Sequence, residues 1–196
     1  MAPSFSEPPQ LPSDEQRELL ALARVALERY VLAGELVETP PAGTIVSSRL
    51  EVPQAAFVSI YRGPRLRGCV GFSEPIKPLV NTVMESAVSA AVRDLRFAPV
   101  EAWELPEIVV EISVMSLLSE LTPSEVVTGL HGLVIERGGR RGLLLPQVAT
   151  EHGWDREGFL RQLCLKAGLP EDAWQAADIR LLSFTAQVFS DPVRVP

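Results

Sequence analysis

Cys69 is the residue whose type and surroundings most strongly suggest chemistry. It lies in a short segment between Gly68 and Gly71, with Arg67 two residues before it. Glycines leave room for a ligand or another backbone to approach, and a neighbouring guanidinium would favour the nucleophilic thiolate. The segment therefore predicts a thiol that reacts with or contacts a ligand. The alternative is a small buried hydrophobe, which is a common use of a free cysteine.

His131 could serve as the base for such a nucleophile. A thiol, an imidazole and an orienting carboxylate form the general arrangement of an activated cysteine site. The candidate carboxylates are Asp94 and Glu111, both distant from Cys69 along the chain. The alternative for His131 is a turn histidine whose ring bonds to the backbone. For Asp94 and Arg96, the alternative is an ion pair or a bond to the following loop.

Further polar residues are candidates for contacting a ligand. Glu111 lies in an apolar strand and would need a partner if buried, which Arg67, Arg96 or a ligand cation could supply. Ser113 lies two residues further along, so it shares a face with Glu111. Gln147, close to a helix N-terminus, could join Arg67 in holding a carboxylate or phosphate group. The alternative role for Gln147 is capping.

Composition and motifs exclude several other classes. The net charge of −7 argues against a broad nucleic-acid surface. With two cysteines, two histidines and no paired-ligand spacing, the sequence predicts no metal site. It contains no Walker loop and no Gly-x-Gly-x-x-Gly, so we expect no nucleotide cofactor. A local basic patch could still arise from two turns, which contain Arg62, Arg65, Arg67, Arg137, Arg140 and Arg141.

Two hairpins should position many of these side chains. Alternating residues over 55–72 predict a hairpin whose return strand directs Arg67 and Cys69 to one face. The opposite face would then carry Leu66, Val70 and Phe72. A second hairpin is predicted over 133–145 across a Gly-Gly turn, which is a favoured two-residue connection.

A long helix and two further strands complete the predicted elements. Apolar residues at helical spacing predict a helix from about Pro78 to Leu95, which places Asp94 at the edge of the buried stripe. Strands are predicted at about 108–115 and 179–189. Because strands and helices mix without a strict βαβ alternation, we expect an α+β fold.

The chain of 196 residues suits a single domain over residues 13–190. A Pro-rich tail at 1–12 is predicted to be disordered, and 191–196 form a short C-terminal tail. The first residues lack a secretory pattern, and no apolar run is long enough to cross a membrane. Two cysteines give no disulfide framework. A reducing cytoplasm is the expected location.

A family likeness extends over most of the chain. The segments that carry it, in order, are Leu66–Gly71, Asp94–Val100, Glu111–Val114, His131–Leu133, Leu145–Ala149, Gly153–Asp155 and the helix containing Cys164. Together they resemble the AMMECR-one domain family, also called AmmeMemoRadiSam system protein A. Two positions depart from the usual pattern. Val70 replaces an isoleucine, and the proline often found two residues after Val114 is Ser116 here.

The resemblance implies an α+β fold with a curved, barrel-like, mostly antiparallel sheet and flanking helices, which two related halves could build. It also implies genomic association with a Memo-like protein and a radical S-adenosylmethionine protein, but it does not identify a reaction. Three hypotheses follow. The first is a binding or accessory domain that holds a small molecule or peptide group near Leu66–Gly71. The second is a cysteine-dependent enzyme with Cys69 as nucleophile and His131 as base. The third is nucleic-acid binding through the arginine-rich turns.

Overall fold

The computed structural model describes residues 10–192, and these divide into two units with separate cores. The N-terminal unit contains residues 10–115 and 187–192, and the C-terminal unit contains residues 116–186. Most of the predicted N-terminal tail, residues 1–9, lies outside the described residues, as do residues 193–196. Within the predicted tail, Leu11 is buried, and its backbone N–H donates to the Gln187 side chain at 2.8 Å.

Within residues 10–192 the regular elements are four α-helices and eight strands. The helices are α1 (Ser13–Ala33), α2 (Leu79–Val92), α3 (Pro146–Glu151) and α4 (Arg156–Lys166). The strands are β1 (Ala56–Arg62), β2 (Arg65–Phe72), β3 (Ile108–Met115), β4 (Ser119–Glu120), β5 (Gly132–Arg137), β6 (Arg140–Leu144), β7 (Arg180–Phe184) and β8 (Ala186–Ser190). Short 3₁₀ helices occupy Ala102–Glu107, Pro123–Glu125 and Ala173–Gln175.

The N-terminal unit packs helices α1 and α2 against one face of a sheet with strand order β2-β1-β3-β8. Strand β1 pairs antiparallel with both β2 and β3. Period-two alternation sends Val58, Ile60, Val110 and Ile112 into the core, where all four are fully buried. The other face of these strands, which carries the intervening residues, therefore points away from the helix-packed core.

The C-terminal unit contains the second sheet, with strand order β4-β7-β5-β6. The β5–β6 hairpin turns at Gly138 and Gly139, whose φ values of 55° and 78° suit this type of two-residue connection. Helix α4 begins after Asp155, whose carboxylate accepts the Gly158 N–H at 2.8 Å. Its buried face packs into a core that includes Leu133, Ile135, Phe159 and Leu163.

The α+β class and the two hairpins predicted from sequence are confirmed. Residues 10–192 form two four-stranded sheets and contain no closed barrel. The predicted last strand at 179–189 is wrong as a single element. It is divided at Thr185 into β7 and β8, which belong to different sheets.

The predicted helix at about 78–95 ends three residues early, at Val92. Leu95 is therefore fully exposed rather than part of the buried stripe, and Asp94 lies in a turn closed by a bond from the Phe97 N–H to the Asp94 carbonyl. This turn, rather than the helix edge, positions the Asp94 carboxylate.

The predicted alternation in β2 is wrong at its beginning. A bulge pairs Gly68 with Ile60 but Leu66 with Tyr61, so Arg67 is an extra residue in the strand. Val70 and Phe72 keep the predicted parity, because they pair with Val58 and the buried Ala56. Leu66 does not, because it pairs with Tyr61, which alternation places on the opposite face of β1 from Ala56 and Val58.

Candidate functional site

A row of three polar residues crosses the N-terminal sheet on the face away from the helices. Cys69 in β2 pairs with Ser59 in β1, and Ser59 pairs with Glu111 in β3. In the neighbouring row, Phe57 lies between Gly71 and Ser113. Cys69, Glu111 and Ser113 were candidates from their positions in the sequence, whereas Ser59 was not. The alternation of β1 already placed Ser59 opposite the core, and only strand pairing reveals its neighbours.

This polar face is enclosed at its centre. Ser59 is 4% exposed and Ser113 is 1% exposed, whereas Cys69 and Glu111 are partly buried. The Cys69 thiol and the Ser59 hydroxyl form a side-chain hydrogen bond. Hydroxyl, thiol and carboxylate groups therefore converge where solvent reaches the end residues of the row but scarcely reaches its middle.

Asp94 and Arg96 bind the free edge of β2 at Cys69. The Cys69 N–H donates to Asp94 Oδ2 at 2.9 Å, and Arg96 Nη2 donates to the Cys69 carbonyl at 3.3 Å. Arg96 also donates to both oxygens of Asp94, at 2.9 and 2.6 Å. We call this arrangement the edge clasp. It takes the place of a neighbouring strand, because one ion pair satisfies both backbone groups of a single edge residue.

The edge clasp shows which kind of antiparallel pair Cys69 forms with its partner in β1. Because the N–H and C=O of Cys69 point outward to the clasp, Cys69 and Ser59 form a non-hydrogen-bonded antiparallel pair. Side chains are closer in such pairs than in hydrogen-bonded ones. The thiol–hydroxyl contact is therefore a consequence of strand register, and the carboxylate predicted as a catalytic orienter binds backbone N–H instead.

The electrostatics at Cys69 disfavour a resting thiolate. Burial raises the pKa of the Cys69 thiol, and the negative charges of Asp94 and Glu111 raise it further. The Ser59 hydrogen bond and the Arg96 charge oppose this rise without cancelling it. In contrast, the hydrogen bond from Arg96 is the main reason that the pKa of Asp94 falls to about 2, so the clasp carboxylate is ionised at neutral pH.

The expected partnership between Arg67 and the Cys69 thiol is wrong. Arg67 donates to both carboxylate oxygens of Glu104 at 2.8 Å, and to the carbonyls of Ala98 and Pro99 at 2.7 and 3.2 Å. Glu104 is only 4% exposed, and the Arg67 hydrogen bonds are the main cause of its lowered pKa. Arg67 therefore fastens the chain after α2 to strand β2.

Gly68 and Gly71 are required for backbone packing. A Cβ on Gly68 would lie 1.9 Å from the Ala90 carbonyl oxygen, so this glycine allows α2 to approach the sheet. A Cβ on Gly71 would lie 2.3 Å from the Ala56 carbonyl oxygen. Of the two explanations that the sequence allowed, room for a ligand or room for another backbone, the structure shows the second.

The remaining candidates, His131 and Gln147, belong to the C-terminal unit. His131 is buried there, its Nδ1 accepts the Val127 N–H at 3.1 Å, and burial lowers its pKa. This backbone bond is the alternative role that the sequence left open. Gln147 lies in the first turn of α3, where its main-chain carbonyl accepts the Thr150 hydroxyl at 2.7 Å.

The described part of the chain offers neither a metal cluster nor a membrane span. No group of three or more histidine, cysteine, aspartate or glutamate side chains within residues 10–192 is arranged to hold a metal ion. In the same range, no helix combines the length and apolar character needed to cross a bilayer. Cys69 and Cys164 are both free thiols.

Comparison with known proteins establishes the relationship that the sequence motifs suggested. The AMMECR1 family model matches residues 20–189. The chain belongs to the AMMECR1 family. A Methanothermobacter thermautotrophicus protein is 41% identical over 188 residues, covering 92% of this chain and 96% of the relative. Protein MK0488 of Methanopyrus kandleri is 43% identical over 192 residues, covering 93% and 91%.

The fold of this AMMECR1-family chain is also found in a solved structure. The crystal structure of the uncharacterized protein PH0010 from Pyrococcus horikoshii matches with a TM-score of 0.87 and 39% identity, covering 95% of this chain and 96% of that one. Two of the segments that suggested AMMECR1 membership, 66–71 and 94–100, are joined physically. The edge clasp and the bonds from Arg67 to Ala98 and Pro99 connect them.

Proposed function

We propose that the chain is a binding module of a reducing cytoplasm that acts beside a Memo-like protein and a radical S-adenosylmethionine protein. Its ligand, a small molecule or a peptide group, contacts the row formed by Cys69, Ser59 and Glu111. The observation that carries this proposal is the convergence of these three polar side chains on an enclosed sheet face opposite the helix-packed core.

The charge of the row favours a ligand group that donates hydrogen bonds or carries positive charge. Glu111 supplies a carboxylate. The charges of Glu111, Asp94 and Arg96 all act on the Cys69 thiol. Asp94 and Arg96 pair with one another, and Glu111 is the acidic residue of the row itself. A protonated amine, such as a peptide N-terminus, complements this arrangement better than a carboxylate or phosphate does.

The raised pKa of Cys69 is the reason to prefer binding over nucleophilic catalysis. A cysteine nucleophile acts as its thiolate, and reactive cysteines occur where positive charge lowers the pKa. Burial and two carboxylates act in the opposite direction at Cys69. Arg67, the cation expected to activate the thiol, is instead bound to Glu104.

Two binding assays test the proposed function. The full chain is immobilised and exposed to purified Memo-like and radical S-adenosylmethionine proteins, and its melting temperature is recorded with a panel of N-terminally free and N-acetylated tripeptides. We expect capture of at least one protein, and stabilisation by the free peptides but not by their acetylated counterparts.

Glu111→Gln should abolish the stabilisation by free peptides, whereas Glu51→Gln, at an exposed carboxylate of the same unit, should leave it intact. Circular dichroism of both variants checks that the fold is retained. The binding proposal would be refuted if the chain bound neither protein and no peptide. It would also be refuted if a peptide bound equally well to the Glu111→Gln variant, because the ligand would then lie elsewhere.

A further inference from the structure

A cavity of about 390 Å³ lies at the tip of the β5–β6 hairpin, within the C-terminal unit. This volume falls inside the range of roughly 300–1,000 Å³ that is typical of small-ligand sites. The lining comprises residues 136–141 around the turn, together with Asp178, which precedes β7, and Arg180, the first residue of that strand.

The lining of this cavity is positively charged, although the chain is acidic. Four arginines face two carboxylates, which gives the lining a net charge of +2 against −7 for the whole chain. A third carboxylate, Glu120, accepts from Arg180 at 3.3 Å without lining the cavity. A concentration of one sign of charge in a concave surface attracts ligands of the opposite sign.

Ion pairs and one hydrogen bond to a backbone carbonyl hold the guanidinium groups in place. Arg137 Nε donates to Asp178 at 2.9 Å, and Arg140 Nη1 donates to the Gly168 carbonyl. The Glu136 carboxylate bridges two further arginines, with Arg141 Nε at 3.3 Å and Arg180 Nη1 at 3.2 Å. Such fixed side chains lose less conformational entropy when they bind a ligand than freely moving ones do.

Arg137 and Arg140 retain donors beyond these bonds. A guanidinium carries five N–H donors in a planar fork. Within residues 10–192, the bonds just described use one nitrogen of each side chain. Both residues flank the Gly138–Gly139 turn, where a Cβ would meet no atom within 4 Å. No neighbouring side chain of the described region therefore crowds these two positions of the turn.

We propose that this arginine-lined hairpin tip binds a phosphate group of a small phosphorylated molecule. The planar forks of Arg137 and Arg140 match the geometry of phosphate oxygens, which arginine binds in bidentate fashion. A phosphate with two negative charges also balances the net charge of the lining. The site is separate from the row at Cys69 and does not depend on the function proposed for it.

Calorimetric titration of the full chain with inorganic pyrophosphate tests the site, and fluorescence anisotropy with a twelve-nucleotide oligothymidylate identifies the source of the phosphate. We expect pyrophosphate to bind, and the double variant Arg137→Gln/Arg140→Gln to bind it at least about tenfold more weakly. Arg161→Gln, at an exposed arginine of the same unit that pairs with Glu157, should bind as the wild type does.

Asp178→Asn supplies a second variant that works in the opposite direction. It removes a carboxylate that competes for Arg137, so it should bind pyrophosphate several-fold more tightly. Binding of the oligonucleotide alone, lost in the double variant, would overturn the small-molecule source and assign the phosphate to nucleic acid. The phosphate site itself is overturned if neither probe binds, or if Arg161→Gln weakens binding as much as the double variant.

Discussion

The Asp94 carboxylate accepts the backbone N–H of Cys69 at 2.9 Å, across the exposed edge of strand β2. This bond gives the carboxylate a structural role that its proximity to a cysteine would not suggest. An edge strand leaves backbone donors and acceptors without a neighbouring strand. Here Asp94 and Arg96 satisfy both backbone groups of Cys69, while the strand register places its side chain beside Ser59.

The first prediction concerns the pH dependence of stability. The pKa of Asp94 is about 2 in the folded chain, below the value of about 3.9 for an unfolded chain. A lowered carboxyl pKa contributes stability that is complete above about pH 5 and is lost progressively as the pH falls toward 2. The contribution should be about 1–2 kcal/mol, because Arg96 is half exposed and water screens the pair.

Asp94→Asn should therefore destabilise the chain at pH 7 and flatten the decline between pH 4 and pH 2. Urea unfolding at several pH values measures both effects. Hydrogen exchange of the Cys69 amide should accelerate in the same variant. If stability declined equally between pH 4 and pH 2 in the variant and the wild type, the Asp94 carboxylate would contribute no net stability.

The second prediction concerns the reactivity of Cys69. Because burial and two carboxylates raise its pKa, alkylation by iodoacetamide should show an inflection above the ordinary value of about 8.5. Glu111→Gln removes one negative charge and should lower the inflection, whereas Arg96→Gln should raise it. Mass spectrometry in a Cys164→Ala background isolates the signal of Cys69. An inflection below pH 8 would restore the cysteine-enzyme hypothesis.

The third prediction concerns the glycine that faces α2. Gly68→Ala places a methyl group against the Ala90 carbonyl, so strand and helix must separate. Overpacking of this kind costs about 1–3 kcal/mol, and the denaturation midpoint should fall accordingly. Arg65→Ala, at an exposed position of the same strand, should change stability by less than about 0.5 kcal/mol. Equal midpoints for both variants would contradict the packing argument.

The fourth prediction separates two arginines that share the carboxylate of Glu104. Arg67→Met leaves this nearly buried group without its bidentate partner, which should cost about 3–5 kcal/mol. Arg62 lies 4.0 Å from the same carboxylate and pairs mainly with the exposed Glu107, so Arg62→Met should destabilise the chain far less. Chemical denaturation of the two variants compares them directly. Similar losses would mean that Arg67 does not anchor the segment after α2.

Much of the local structure followed from residue pattern. Alternation identified β1 and β3, and the core-facing residues Val58 and Ile112 are buried as the period of two requires. The pair Gly138–Gly139 marked its hairpin correctly, because both residues need positive φ. These features depend on interactions between near neighbours in the chain, so the sequence displays them directly.

The candidate site was predicted only in part. Cys69 and Glu111 share a row, as their strand parity allowed, but Ser59 between them was overlooked. Arg67 was paired with the wrong group because parity says nothing about a partner 37 residues away in a 3₁₀ helix. The bulge at Arg67 also could not be read from alternation, since it exists only relative to β1.

By itself the sequence determined the family, the α+β class and the faces of individual strands, because motif order and short-range periodicity are properties of the chain. Tertiary structure alone decided which side chains meet. The helix ends at Val92, so Asp94 reaches the backbone of Cys69 rather than its thiol, and Arg67 turns to Glu104. The physical reason is that buried backbone groups and buried charges must be paired. Their partners can lie far away in the sequence.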